Sequence, residues 1–243
     1  MPGGGVYYMW RSCLLFIDIT KVIHQVRSGN GMDPVEFAVN CEQSGCDGIV
    51  LQSGQDRPLM DVQQIMDIRA AVRIPVNLRI PLEETDVEAA RQVRPDKVIL
   101  APEKMDRAGW SDFKTAGHKI AEAVRLFHRD GIPVSVLAAP DAVTIGIVKH
   151  CGADFIQIHT ADYANARGSR EKDREIERIY AAADQAVKAG LKVSAGGGLT
   201  RDNLLPVLKT RALEELTVGS AVIARSDSIG LSKAIEEILD LVE

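Results

Sequence analysis

No apolar run in this 243-residue chain approaches the ~20 residues that a membrane-spanning helix needs, so no membrane partner is expected. No block of lysine and arginine stands out against a formal net charge of −5. Binding a phosphate backbone requires clustered cations, so no nucleic-acid partner is expected. None of the four cysteines, Cys13, Cys41, Cys46 and Cys151, has C-x-x-C spacing, and no Cys/His cluster suggests zinc. Free thiols in a reducing, cytoplasmic compartment are expected, with no metal and no cofactor. The stretch MPGGGVYYMWRSC lacks the long apolar segment of a signal peptide, and its glycines point to a flexible extension over residues 1–13. No glycine-rich dinucleotide loop follows the first strand, which disfavours an open doubly wound sheet.

What the chain does have is the composition of a folded protein, 46% hydrophobic and 26% charged. Short apolar runs alternate with longer amphipathic ones. LLFIDI (Leu14–Ile19), GIVLQS, PVNLRIP, KVILAP, PVSVLAA, FIQIHT, KVSAGG and ELTVGSAVIA read as strands. DPVEFAVNCEQSGC, LMDVQQIMDIRAAV, TDVEAARQV with a Thr85 cap, and TAGHKIAEAVRLFHRDG read as the first helices. AVTIGIVKHCG, EIERIYAAADQAVKAG, RDNLLPVLKT and SIGLSKAIEEILDLV read as the rest. The stretch after the first strand, EKMDRAGWSDF and ADYANARGSREKD read as polar loops. Strict alternation implies a parallel sheet, because parallel strands need helical crossovers, and eight units close into a single (β/α)8 TIM barrel over residues 14–243.

Such barrels carry their sites at the C-terminal ends of the strands. Asp18, Gln52, Arg79, Glu103, Lys104, Gln157 and His159 fall there. AGGGLT (Ala195–Thr200) and VGSA (Val218–Ala221) end the last two strands and lead into helices. Glycine lets backbone approach an anion and offers N–H donors, so Gly197, Gly198, Gly219 and Ser220 form a candidate phosphate site; a plain tight turn is the alternative. Asp18 can act as a base, orient a partner or cap its loop. Arg79 interrupts an apolar strand, and pointing inward it must meet an anion or a carboxylate; otherwise it points out between helices. Glu103 and Lys104 can supply acid–base chemistry or pair with each other. Lys21 is placed for an imine if its pKa is depressed, and is a solvated loop lysine if not. His24, His118, His128 and His150 read as surface residues, and Arg170–Arg178 as a solvated loop and helix start.

FIQIHTADYANA, GLKVSAGGGLT, ELTVGSAVIAR, IDITKVIHQVRSGNGMDPV and the turn at Pro102–Lys104 together resemble the pyridoxine 5′-phosphate synthase family. The resemblance implies a barrel assembled as an octamer or dimer. It implies a metal-free condensation of 1-deoxyxylulose 5-phosphate with 3-amino-2-oxopropyl phosphate, releasing phosphate and water. Asp18 matches the aspartate of the family's N-x-D-H, Arg27 a substrate-binding arginine, and Gly198 and Gly219 the phosphate glycines. Elsewhere the pattern departs. Phe16 and Ile19 replace the Asn and His of N-x-D-H. Gln52, Arg79 and Gly197 stand where the family has its catalytic His, Glu and His. Gln157 replaces the Glu of E-I-H-T, Ser220 replaces a His, and Gly54, Leu59 and Gly109 replace polar contacts.

Glutamine does not titrate, glycine has no side chain and arginine stays protonated. The expectation drawn from this is a repurposed enzyme on a phosphorylated or anionic small molecule, with the parent activity lost. Its catalytic groups would be Asp18, Glu103 and Lys21, and its substrate contacts Arg27, Gln52, Arg79 and Gln157. The alternatives are a non-catalytic ligand-binding or assembly protein, and an authentic synthase.

Overall fold

The computed structural model describes residues 12–27, 32–53, 62–102 and 107–243, with the backbone alone at 24–27 and 107–109. The expectations for residues 1–11, Gly54, Leu59, Glu103 and Lys104 therefore lie outside the described residues. Eight parallel strands close in chain order: β1 (Leu14–Asp18), β2 (Gly48–Gln52), β3 (Val76–Ile80), β4 (Lys97–Leu100), β5 (Val134–Ala138), β6 (Phe155–His159), β7 (Lys192–Gly196) and β8 (Leu213–Val218). The chain is a single (β/α)8 barrel. Ser12 lies against the far end of the chain, its N–H donating to the Val242 carbonyl at 2.9 Å.

The helices are α1 (Thr20–Arg27), α2 (Pro34–Gln43), α3 (Val62–Ala71), α4 (Glu84–Val93), α5 (Arg107–Thr115) and α6 (Gly117–Arg129). They continue with α7 (Ala142–His150), α8 (Ala161–Asn165), α9 (Ser169–Lys188), α10 (Leu204–Leu208), α11 (Ser220–Ile229) and α12 (Leu231–Val242). Three of them, α1, α5 and α8, occupy stretches expected to be loops. Each is rich in polar residues and short, so its helicity comes from docking beside a strand end rather than from a broad apolar face. Thr85 does not cap α4: Glu83 is the cap residue and Thr85 sits inside the first turn. The charge run begins inside α9 instead of a loop, where Glu175 is buried and paired with Arg174 and Arg178. The expected last helix, from Ser228, is α12 from Leu231 on; α11 is an additional helix that takes over the end of the ELTVGSAVIA segment and is separated from α12 by Gly230, at φ +86°.

The two-residue period of a strand gives the barrel two cores. One set of alternate residues, including Leu15, Ile17, Leu51, Leu78, Val136, Ile156 and Leu216, packs outward against the helices. The other set points inward, where Phe16, Val50, Ile99, Ala101 and Leu137 form a separate cluster. The register carries the inward set round the barrel, pairing Phe16 with Gly48, Gln52 with Arg79, and His159 with Gly196. Gly48 is what admits Phe16: a Cβ there would lie 2.1 Å from the Phe16 ring. Below this layer Lys97 pairs with Glu215, with its ammonium 4.2 Å from the centre of the Phe155 ring. Burial holds the Lys97 amine below its ordinary pKa, and Glu215 opposes the shift. All four cysteines are buried free thiols.

Candidate active site

Above the apolar layer, at the C-terminal ends of the strands, opens a cavity of about 480 Å³. Asp18, Lys21, Gln52, Arg79, His159, Gly196, Gly197, Gly198, Gly219 and Ser220 all line it. Local strand geometry explains the convergence: Asp18, Gln52, Arg79, Gln157 and His159 each belong to the inward-facing alternate set.

Arg79 organises one wall. Its Nη1 donates to Asp18 Oδ2 at 3.0 Å and to Gln52 Oε1 at 3.2 Å, and its Nη2 donates to Gln157 Oε1 at 3.4 Å. Gln157 in turn donates from Nε2 to Thr217 Oγ1 at 2.9 Å. The Arg79 and Asp18 side chains are 12% and 20% exposed, so the pair is enclosed yet reachable from the mouth. The buried Arg79 Nε has no hydrogen-bond partner among the described residues. The arginine thus points inward and meets a carboxylate. Asp18 does two of its expected tasks together, orienting Arg79 and, through Oδ1, accepting the Thr20 N–H at 3.1 Å.

The opposite wall is backbone. Gly197 and Gly198 have φ of +119° and +70°, which L side chains rarely adopt. Their carbonyl oxygens are occupied: Thr160 Oγ1 donates to Gly197 at 2.7 Å and Asn203 Nδ2 to Gly198 at 3.2 Å. Across the corner, Gly219 opens α11 without any side-chain cap. The first N–H groups of a helix have no intrahelical acceptor, and those of Ser220 and Ala221 begin α11 beside the cavity. A Cβ on Gly219 would lie 2.8 Å from the Asp18 carbonyl oxygen, and one on Gly198 would lie 2.8 Å from Ala164 Cβ. Both positions therefore require glycine for space, and Gly198 for conformation as well. Uncapped donors facing a cavity make a surface suited to an anion.

Of the other sequence-named residues, Lys21 lines the cavity from α1. Arg27 lies in the last turn of α1, its backbone alone being described. His159 reached the sequence reading only as a strand-end residue, with no role assigned. Its ring packs on Trp110 of α5, with centroids 5.2 Å apart and planes at 49°. Burial, aided by the Arg79 guanidinium and opposed by Asp162, holds the imidazole below its ordinary pKa and therefore neutral at physiological pH. Its place two residues beyond Gln157, on the same strand face, was the available signal. No group of three His, Cys, Asp or Glu side chains converges as metal ligands among the described residues.

The model of the family described as "Pyridoxal phosphate biosynthesis protein PdxJ" matches residues 15–243. The chain belongs to the PdxJ family. A pyridoxine 5′-phosphate synthase of Acaryochloris marina is 34% identical, over 93% of this chain and 95% of the relative. One from Geobacter metallireducens is 33% identical, over 93% and 96%. In structure the chain is similar to a tryptophan synthase α-subunit from Pyrococcus furiosus, with TM-score 0.64, 16% identity and coverage of 95% and 98%. It is similar also to a 3-hexulose-6-phosphate synthase, with TM-score 0.63, 15% identity and coverage of 95% and 100%. At those identities the structural likeness concerns the fold alone.

Membership in the PdxJ family over nearly the whole chain, with synthases as its relatives, overturns the expectation of a repurposed or non-catalytic barrel that has lost the parent activity. That expectation judged the replaced residues one at a time. In the folded chain Gln52, Arg79 and Gln157 are not separate losses, because one guanidinium joins all three to Asp18.

Proposed function

We propose that this chain is a pyridoxine 5′-phosphate synthase, condensing 1-deoxyxylulose 5-phosphate with 3-amino-2-oxopropyl phosphate and releasing phosphate and water. The observation that carries the reading is the full-length match to a family whose curated relatives bear that name. The geometry supports it through the glycine corner, where Gly197, Gly198, Gly219 and Ser220 offer backbone donors to a phosphate group. Arg79 and Gln52 then contact the substrate body, and Lys21 and Asp18 add one charge of each sign at the rim. The buried Gln157, named from sequence as a substrate contact, stands behind Arg79 and outside the cavity lining. Arg27, Glu103 and Lys104 remain candidates by resemblance.

Arg79 places a fixed positive charge where carbonyl oxygens of the condensing substrates gain negative charge, which favours enolate-like states. Asp18 keeps that guanidinium aimed. The protein acts without a metal or cofactor, as a cytoplasmic homo-oligomer, a reading in keeping with four buried free thiols. The purified chain, given both substrates, is expected to form pyridoxine 5′-phosphate with one inorganic phosphate released per product. Absence of product under conditions where a relative turns over sinks the reading. Light scattering on the same preparation tests the assembly, and a monomeric mass removes that part.

A further inference from the structure

We propose that His159 is the proton-transfer residue of this site, its imidazole working from β6 where the family pattern places a histidine at position 197; this rests on the synthase reading above.

Space is the first argument. Gly197 leaves its corner without a side chain, and the space is not empty. A Cβ built on Gly197 would lie 3.0 Å from His159 Cδ2 and 3.2 Å from His159 Nε2. The His159 ring edge thus abuts the place from which a side chain at 197 would start. His159 pairs in register with Gly196 on the neighbouring strand, so the E-I-H-T histidine is the imidazole left beside the bare Gly197 corner.

The second argument is elimination among the titratable groups that line the cavity. Arg79 stays protonated at working pH. Asp18 is held by Arg79 Nη1 and the Thr20 N–H. Lys21 stands exposed on the first turn of α1. His159 differs from all three. Its ring nitrogens have no hydrogen-bond partner among the described residues, so a lone pair is open to the cavity. Trp110 fixes the ring plane from one side. The charged groups bearing on it are Arg79 from β3, which favours the neutral base, and Asp162 from α8, which favours the cation.

The step is a balanced elimination. Neutral imidazole takes the proton from a carbon next to a carbonyl or iminium carbon. The C–H electron pair becomes the C=C bond as the neighbouring C–O bond breaks. The imidazolium then returns the proton to the departing oxygen, which leaves as water or as hydrogen phosphate. His159 ends neutral, and Arg79 meets the negative charge that develops between the two transfers.

The test compares wild type with His159→Phe, which keeps a ring against Trp110, and His159→Gln, which keeps polarity. The expected result is a fall in kcat of roughly 10²–10³-fold in both variants, within the usual range for a lost acid–base group. KM for both phosphorylated substrates and the Tm should stay near wild type. The acidic limb of the wild-type kcat/KM profile, where protonation removes the base, should vanish from the residual activity. His159→Ala should regain activity with added imidazole, which a packing role would not produce. If wild type turns over and the Phe variant keeps its kcat within about threefold, or loses only KM, His159 is not the proton carrier and the synthase reading stands. If wild type itself forms no product, the synthase reading falls and the assignment falls with it.

Discussion

On the β7–β8 side of the mouth the cavity is walled by main chain: two glycines at positive φ, a third that tolerates no Cβ, and the uncapped start of α11. On the β2–β3 side it is walled by side chains, with Arg79 gripping Asp18, Gln52 and Gln157. The first wall retains the family's glycines at Gly198 and Gly219 and departs from it at Gly197 and Ser220, while the second replaces the family's groups at Gln52, Arg79 and Gln157. The contrast has a physical cause. A backbone site has no substitute, since any Cβ collides with Asp18 or Ala164. A side-chain site can change as a set, provided each new group finds its partner among the others.

The largest effect should come from breaking that set. Arg79→Glu, which restores the family residue alone, places a carboxylate beside Asp18 and removes the donor for two glutamines. It is expected to abolish measurable turnover and to cost roughly 2–4 kcal/mol in urea unfolding, below the cost of splitting a fully buried pair. Adding Gln52→His and Gln157→Glu to it should recover stability beyond the sum of the separate changes, by about 1–3 kcal/mol. Additive effects would show that the wall is not a unit.

Next in size is the backbone wall. Gly198→Asp adds a Cβ against Ala164 at a φ of +70° and a like charge on the anion. Affinity for inorganic phosphate, read by calorimetry, should fall about 10–100-fold, or ~1.4 kcal/mol per decade. An unchanged affinity breaks the comparison outright, because the corner would then bind nothing. Gly219→Ala tests the seam between the walls, since its Cβ would press on the Asp18 backbone at 2.8 Å. A stability loss of about 1–3 kcal/mol is expected from such overpacking. Turnover should fall with it, since Asp18 aims Arg79. A loss of phosphate affinity with unaltered turnover would mean that the walls are not joined there.

The smallest expected effect concerns pH. His159 is held below its ordinary pKa, so the unfolded chain binds its proton more readily than the folded one. Stability should therefore decline as pH falls below about 6.5, the ordinary histidine value, and should level off below the folded pKa. His159→Phe should make this decline shallower. Identical pH–stability curves for the two proteins would remove His159 from that balance.

The barrel was readable in the sequence because a short apolar run and a longer amphipathic stretch follow each other eight times along the chain. The helices α1, α5 and α8 were not, because their polar composition matches a loop until a neighbouring strand end gives them something to rest on. Gly198 and Gly219 were readable because a Cβ at either position would lie 2.8 Å from its neighbour, so the glycine itself is the signal. The Arg79 wall was not: its partners are 27 and 78 residues away, and nothing local says that Gln52 and Gln157 meet one guanidinium. Sequence reading counted each as a deletion and so reached the wrong conclusion about the reaction. His159 was visible as a strand-end residue, but its contact with the Gly197 corner exists only in three dimensions.

The floor of the barrel has a consequence for traffic. Phe16, Val50, Ile99 and Leu137 fill the interior, and Lys97, Glu215 and Phe155 lie beneath them, so among the described residues the cavity has a floor of packed side chains. On the proposed synthase activity, substrate would enter and product would leave above that floor, past the glycine corner that lines the cavity. Inorganic phosphate released by that activity would leave past the same glycines that are proposed to seat the next substrate. Free phosphate would then act as a competitor of the phosphorylated substrate at that corner.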